Sequence, residues 1–184
     1  MARLWYRYAA MNAGKTSSLL QVAHNYEENG EKVLLLTSAL DDRDGPGLIS
    51  SRIGLKREAA TYTSSTNFLE RLKDVEVACV LIDEAQFLTV DQVRQLHRWV
   101  HTNDSPVMCF GLRSDFRGDP FPGAAMLLTL ADNLEEIRTA CRCGKKATMN
   151  IRIDEAGERV QEGDQVLIGG NSRYRQVCAR CFYS

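Results

Sequence analysis

The sequence predicts an α/β fold with a mostly parallel sheet covered by helices, followed by a smaller β-rich subdomain. Two observations predict it. Apolar strands and amphipathic helices alternate with short connections up to about residue 135, which is typical of a parallel sheet. After that point the predicted strands are short, and four cysteines frame them: Cys141, Cys143, Cys178 and Cys181.

The first part contains four apolar runs that resemble strands buried on both faces of a parallel sheet. They are residues 3–9, 33–36, 77–82 and 107–111. Helical spacing predicts helices over 15–29, 66–73, 89–101 and 123–131, with Gly30 ending the first and Thr89 capping the third. Residues 41–57 are polar and contain Gly and Pro, so we predict a loop there.

In the second part we predict short strands at Thr148–Ile153 and Gln165–Ile168, with a turn at Glu155-Ala156-Gly157 between them. A segment this small has few apolar residues with which to hold itself together. A metal bound by the cysteines would supply the missing stability.

Composition is ordinary for a globular protein: 184 residues, 44% hydrophobic, 26% charged and a formal net charge of -1. The charge argues against nucleic acid as the main partner. No apolar run is long enough to cross a bilayer, and we expect no signal peptide because the first strand starts at once. A cytoplasmic location is therefore expected, where cysteines bind metals more often than they form disulfides.

The N-terminal segment has the pattern of a phosphate-binding P-loop between a strand and a helix. Backbone N–H groups of such a loop, and the positive end of the following helix, suit a polyphosphate. Lys15 is expected to reach the outer phosphates and the Thr16 hydroxyl to bind Mg²⁺. Ala9 stands where the first Gly of the pattern is expected. The predicted ATP-binding residues here are Ala9, Ala10, Met11, Asn12, Ala13, Gly14, Lys15 and Thr16.

Two acids, Asp83 and Glu84, end the third apolar run. In P-loop proteins an Asp at such a strand end holds Mg²⁺, and we assign that role to Asp83 together with Thr16. Glu84 then lies at the mouth of the nucleotide site, where a carboxylate can take a proton from an attacking hydroxyl or water. Ala85 and Gln86 complete this predicted segment. Two solvated acids at a strand end are the alternative, which the P-loop upstream disfavours.

The four cysteines of the second part resemble a structural zinc site, because four thiolates from two close pairs leave no open position. The first pair has only one residue between its ligands. Unlinked thiols or a disulfide are the alternatives. We interpret Cys79 and Cys109 as buried apolar residues. His97 and His101 have the spacing of two ligands on one helix face, but no Glu follows His97, and we interpret both as residues of a solvated face.

Four stretches together resemble the type II thymidine kinase family over nearly the whole chain. They are residues 11–16, Asp83-Glu84-Ala85-Gln86-Phe87, residues 111–117 and residues 168–174. The resemblance implies a RecA-like P-loop domain at residues 1–135 that binds ATP, and a zinc-binding subdomain at residues 136–184 whose lasso loop closes over the nucleoside. It further implies a homotetramer that transfers the γ-phosphate of ATP to the 5′-hydroxyl of thymidine.

The resemblance also assigns roles by position. Glu84 resembles the general base, and Phe116 the aromatic residue beside the base of the nucleoside. Asp41 and Arg43 resemble an acid and an arginine near the phosphates. The residues that resemble the substrate-binding set are Phe116, Gln165, Val166, Leu167, Ile168, Gly169 and Tyr174.

Two other functions stay open from the residues alone. One is an ATPase module that works on nucleic acid, with Glu84 activating water. The other is a zinc-stabilised binding module without catalysis, which leaves the P-loop, Asp83 and Glu84 without a purpose. We also expect that loss of zinc raises the apparent KM for thymidine before it weakens ATP binding, on the assumption that the P-loop is distant from the metal.

Overall fold

The computed structural model describes residues 1–41, 45–167 and 171–184. The strands of these residues are β1 (Leu4–Ala9), β2 (Val33–Ser38), β3 (Leu48–Ser50), β4 (Lys56–Glu58), β5 (Ala60–Tyr62), β6 (Cys79–Ile82), β7 (Val107–Leu112), β8 (Asn133–Glu136), β9 (Thr139–Ala140), β10 (Lys146–Ala147), β11 (Met149–Ile153), β12 (Arg159–Val160) and β13 (Tyr174–Val177). The helices are α1 (Lys15–Glu28), α2 (Phe68–Arg71), α3 (Val90–Asn103), α4 (Pro122–Leu130) and α5 (Ala179–Tyr183), with 3₁₀ turns at Ala85–Phe87 and Asn171–Arg173.

A six-stranded sheet in the order β5-β2-β6-β7-β1-β8 forms the centre of the fold. Every neighbouring pair in it is parallel, which confirms the predicted α/β class. The carboxyl ends of parallel strands share one edge, and ligands of open α/β sheets bind there. Both β1 and β6 end at this edge, so the P-loop and the two acids are brought to the same side of the sheet.

Helices cover the sheet on both faces. On one face α3 and α4 contribute Val93, Leu96, Val100 and Leu127 to a core cluster that includes Val80 and Ile82 of β6. On the other face α1 packs Leu19, Leu20 and Ala23 against Cys79 and Leu81 of the same strand. Strand β6 is therefore buried on both faces, as its continuous apolar run predicts, and Cys79 and Cys109 are both buried.

The helix ends follow the local sequence. Gly30, with φ 78°, follows the end of α1, and only a residue without a Cβ adopts that conformation at low cost. Thr89 and Gln92 form a capping box at the start of α3: Thr89 Oγ1 accepts from the Gln92 N–H at 3.1 Å, and the Thr89 N–H donates to Gln92 Oε1 at 3.0 Å.

Three strand predictions differ from the structure. Residues 41–57 were predicted as a loop, but β3 and β4 form an antiparallel hairpin there, anchored by the buried Ile49. The short strands β5 and β8 at the two edges of the sheet were not predicted. Gln165–Leu167 do not form the predicted strand, and Ile168 lies outside the described residues.

The second part is built on an antiparallel sheet in the order β12-β11-β13, with the hairpin β9-β10 and the short helix α5 beside it. Strand β8 runs across residue 135 and pairs with β1, so the central sheet extends to Glu136. None of the described helices is long and apolar enough to cross a membrane.

Candidate active site

A cavity of ≈ 460 Å³ opens at the carboxyl edge of the sheet. Its volume falls in the range of small-molecule sites, about 300–1,000 Å³. The P-loop lines it together with the acid segment after β6, residues of the 50–53 turn and residues of the second part. The lining residues include Met11, Asn12, Ala13, Gly14, Lys15, Thr16, Asp41, Glu84, Gln86, Asp115, Phe116, Asn150, Gln165, Val166, Leu167 and Tyr174.

The P-loop residues predicted to bind ATP divide into two groups. Met11 through Thr16 line the cavity, whereas Ala9 and Ala10 are buried behind them at the end of β1. Gly14 adopts a left-handed conformation, φ 81°, directly before α1. The Lys15 ammonium donates to the Ala10 carbonyl at 3.0 Å, so its charge is held beside the P-loop.

Thr16 and Asp83 meet although they lie on different elements. The Thr16 hydroxyl donates to Asp83 Oδ2 at 3.1 Å. Burial raises the pKa of the Asp83 carboxyl to about 7, with a further rise from the Glu84 charge, while the Glu84 N–H, Lys15 and the Thr16 hydroxyl oppose the shift. A buried carboxylate and a hydroxyl are hard oxygen donors, the ligand type that Mg²⁺ prefers. The donor set therefore fits the predicted Mg²⁺ site.

Glu84 is held in an unusual backbone conformation at the cavity wall. Its φ is 52°, which is uncommon for a residue other than glycine and is costly unless neighbours enforce it. The buried Tyr62 hydroxyl donates to the Glu84 carbonyl at 2.8 Å, and the Glu84 N–H donates to Asp83 Oδ1 at 3.0 Å. These two bonds fix the turn that directs the Glu84 side chain to the cavity.

The side chain of Gln86 fixes the Glu84 carboxylate. Gln86 Nε2 donates to Glu84 Oε2 at 2.5 Å, while Gln86 Oε1 accepts from the Leu112 N–H at 3.1 Å. Gly111 permits this arrangement, because a Cβ there would lie 2.7 Å from Gln86 Oε1 and 2.9 Å from the Gln86 nitrogen. Gln86 itself is buried, as is Ala85 beside it.

The predicted substrate residues that the structure describes all line the same cavity: Phe116, Gln165, Val166, Leu167 and Tyr174. Gln165 Nε2 donates to Asp115 Oδ2 at 3.0 Å, which ties the predicted lasso loop to the segment after β7. Ile168 and Gly169, predicted in the same set, lie outside the described residues, and so does Arg43. Asp41 lines the cavity.

Arg152 contacts several of these residues, although no sequence pattern predicts a role for it. Its guanidinium carbon lies 3.9 Å from the centre of the Phe116 ring. Its Nη2 donates to the Tyr174 hydroxyl at 2.6 Å and to the Asp164 carbonyl at 2.8 Å. One buried cation therefore contacts Phe116 and two residues that flank the predicted lasso loop, Asp164 and Tyr174.

The P-loop is bonded directly to the second part of the chain. The Met11 N–H donates to Asn150 Oδ1 at 2.8 Å, and Asn12 Nδ2 donates to Gln176 Oε1 at 2.8 Å. Gln176 is only two residues before Cys178. The assumption that the P-loop is distant from the metal cluster is therefore wrong. We now expect loss of zinc to weaken ATP binding together with thymidine binding, and not thymidine binding first.

The four cysteines cluster as predicted. The Sγ atoms of Cys141, Cys143, Cys178 and Cys181 all lie within 4.8 Å of one another, and those of Cys143 and Cys178 are 3.5 Å apart. Hydrogen bonds from the Cys143 and Cys178 backbone N–H groups lower the pKa of the Cys141 thiol to about 6. Side-chain hydrogen bonds from the other three cysteines raise the pKa of the Cys181 thiol to about 12. Four sulfur atoms this close together match the tetrahedral ligand set of structural zinc, so the cluster fits such a site.

Comparisons with known proteins agree with these features. The family model described as thymidine kinase matches residues 2–182. A thymidine kinase of Chromobacterium violaceum is 58% identical over 183 residues, covering 100% of this chain and 99% of the relative. One from Albidiferax ferrireducens is 57% identical, covering 100% and 93%, and one from Idiomarina loihiensis is 52% identical, covering 98% and 95%.

Proposed function

Because the chain belongs to the thymidine kinase family, we propose that it transfers the γ-phosphate of ATP to the 5′-hydroxyl of thymidine, giving dTMP and ADP. One observation carries the proposal. A single cavity is lined both by a P-loop and by the aromatic residues Phe116 and Tyr174, with the Glu84 carboxylate in the same wall. The homotetramer and the cytoplasmic location stay predictions.

The P-loop binds the phosphates of ATP. Its backbone N–H groups and the start of α1 suit the polyphosphate, and Lys15 adds positive charge. Thr16 and Asp83, which already share a hydrogen bond, would hold Mg²⁺. When bound, this ion neutralises the negative charge that develops on the phosphate oxygens.

Glu84 acts on the nucleoside as general base. The 5′-oxygen attacks the γ-phosphorus, the bond from that phosphorus to the bridging oxygen of ADP breaks, and the 5′-hydroxyl proton moves to the Glu84 carboxylate. The Gln86 amide holds one carboxylate oxygen at 2.5 Å. Gln86 therefore orients the base without taking part in the transfer.

The segment from Gln165 to Gly169 and Tyr174 closes over the nucleoside in this proposal. The Gln165–Asp115 bond and the Arg152 bond to the Asp164 carbonyl tether its first half. A closed loop excludes water, which otherwise would accept the phosphate in place of the 5′-hydroxyl.

The test replaces Glu84 by Gln and measures thymidine-dependent ADP formation together with the binding of each substrate. Losing a general base costs about 10²–10⁴-fold in rate, so we expect a fall of that size in kcat with binding nearly kept. Glu76→Gln changes an exposed acid and serves as the matched control. Near-normal turnover by folded Glu84→Gln protein would remove Glu84 from the role of base.

A further inference from the structure

We infer that His97, His101 and Asp132 form a second metal site, which binds one divalent transition-metal ion of the zinc class. His97 and His101 lie one turn apart on α3, and Asp132 follows α4. One ligand atom of each residue lies within 4.8 Å of those of the other two. The site is distinct from the four-cysteine cluster and from the Thr16–Asp83 pair.

The spacing of the ligand atoms suits a small ion. His101 Nε2 lies 3.2 Å from Asp132 Oδ2. Zinc bonds to nitrogen and oxygen of about 2.0–2.2 Å at tetrahedral angles place two ligands about 3.3 Å apart. The His97 ring lies edge-on to the His101 ring with centroids 4.7 Å apart. His97 therefore needs only a small side-chain adjustment to become the third ligand.

The surroundings hold the ligands in place. The Leu4 N–H donates to Asp132 Oδ2 at 2.7 Å, and such outer bonds orient the ligands of metal sites. The side chains of His101 and Asp132 are 34% and 24% exposed, and His97 is half-buried, so an ion can reach the site from solvent. On α3 the neighbouring Leu96 and Val100 are fully buried, which fixes the helix face that carries both histidines.

The ligand types choose the ion. Imidazole suits zinc, copper and nickel, whereas Mg²⁺ prefers a site made of oxygen atoms. Two imidazoles and one carboxylate leave at least one coordination position for water. Mg²⁺ supplied with ATP would therefore not compete well here.

A simple ion pair between His101 and Asp132 is the competing interpretation of the same contacts. It explains the 3.2 Å distance but gives His97 no part. Only the metal site makes binding depend on all three residues.

The proposed metal site lies at the amino end of β1, where the Leu4 N–H bonds to Asp132, and the cavity lies at the carboxyl end of the same strand. An ion bound here would join α3 to the segment before β8 without entering the active site.

The experiment titrates Zn²⁺ into the full protein, with its cysteine-bound zinc retained, by isothermal calorimetry. We expect one further ion per chain, bound about tenfold or more weakly after His97→Ala, His101→Ala or Asp132→Asn. His24→Ala is the matched control. His24 also pairs with a carboxylate one turn away, Glu28 at 3.3 Å, and this change should leave the affinity unaltered.

Two results would overturn the site: no further equivalent of zinc in the unmodified protein, or binding that persists unchanged in His97→Ala. Equal losses in His24→Ala would also count against it, because they would indicate unspecific surface binding. Co²⁺ serves as a second probe. Ligation by nitrogen and oxygen gives d–d absorption without a thiolate charge-transfer band, and appearance of that band would place the ion on cysteines instead.

Discussion

Replacing Arg152 by Met should weaken thymidine binding far more than it weakens ATP binding or slows phosphate transfer. Arg152 is buried, with 6% of its surface exposed. It stacks under Phe116 and bonds to the Tyr174 hydroxyl and the Asp164 carbonyl. Methionine keeps similar length and apolar volume but removes the charge and every donor.

The magnitude follows from the lost contacts. A hydrogen bond to a charged group contributes about 1.5–3 kcal/mol, and a cation–π contact about 0.5–2 kcal/mol. Arg152 makes these contacts before the nucleoside arrives, so much of the loss falls on stability rather than on binding. If the loss of one charged hydrogen bond, about 2 kcal/mol, falls on the ordering of the thymidine pocket, KM for thymidine rises about thirtyfold.

The assay is steady-state ADP formation with each substrate varied in turn. Arg175→Met is the control, because Arg175 on β13 lies opposite Ile151 on β11. Strand alternation therefore puts it on the other face of that small sheet from Arg152. The reasoning would be refuted by an Arg152→Met protein that is folded and has an unchanged KM for thymidine, or by one in which only KM for ATP rises.

Three further changes test other parts of the site. Gln86→Met removes the donor to the Glu84 carboxylate. We expect kcat to fall about tenfold or more in the same assay, with little change in KM for either substrate. An unchanged kcat would count against the orienting role of Gln86. Gly111→Ala should lower the free energy of unfolding by about 1–3 kcal/mol, because the new Cβ would lie 2.7 Å from Gln86 Oε1; denaturant unfolding checks this. Cys178→Ser should release zinc and raise KM for ATP together with KM for thymidine, because β13 is bonded to the P-loop. If only KM for thymidine rises, this bond does not transmit the loss of zinc to the ATP site.

The sequence was most informative where a strand is buried on both faces. The run that became β6 is continuously apolar, and all four of its residues are buried. The sequence also predicts Thr89 as the cap of α3, and the structure adds Gln92, three residues later, as its partner in the capping box. The sequence does not predict the short edge strands β5 and β8, because segments of three or four residues show no clear alternation of polar and apolar residues. Their formation depends on pairing with a neighbouring strand.

The polar residues behind the site could not be assigned from the sequence for a different reason. Strand β11 reads Met-Asn-Ile-Arg-Ile, and simple alternation would put Asn150 and Arg152 toward water. In the structure these two are buried, whereas Met149 and Ile151 are partly exposed. The polar face packs on the P-loop and on Phe116. Only the surface of the partner element reveals this, and a single strand pattern does not contain it.

Asp132 illustrates the same limit for the proposed second metal site. His97 and His101 are recognisable as a pair from their spacing in one helix. Their carboxylate partner comes from another part of the chain, after α4, and the fold alone brings it within 3.2 Å of His101. The spacing is visible in the sequence, but without the third ligand it predicts only a solvated helix face, which is how we interpret the pair from the sequence alone.

The central claim is that this chain phosphorylates thymidine. The most direct measurement incubates the protein with ATP and Mg²⁺ and follows ADP and dTMP in the same sample, with thymidine, with single-stranded DNA, or with neither. We predict that ADP forms only with thymidine and that one dTMP appears for each ADP. ADP formation that DNA stimulates and thymidine does not, with no dTMP formed, would contradict the account.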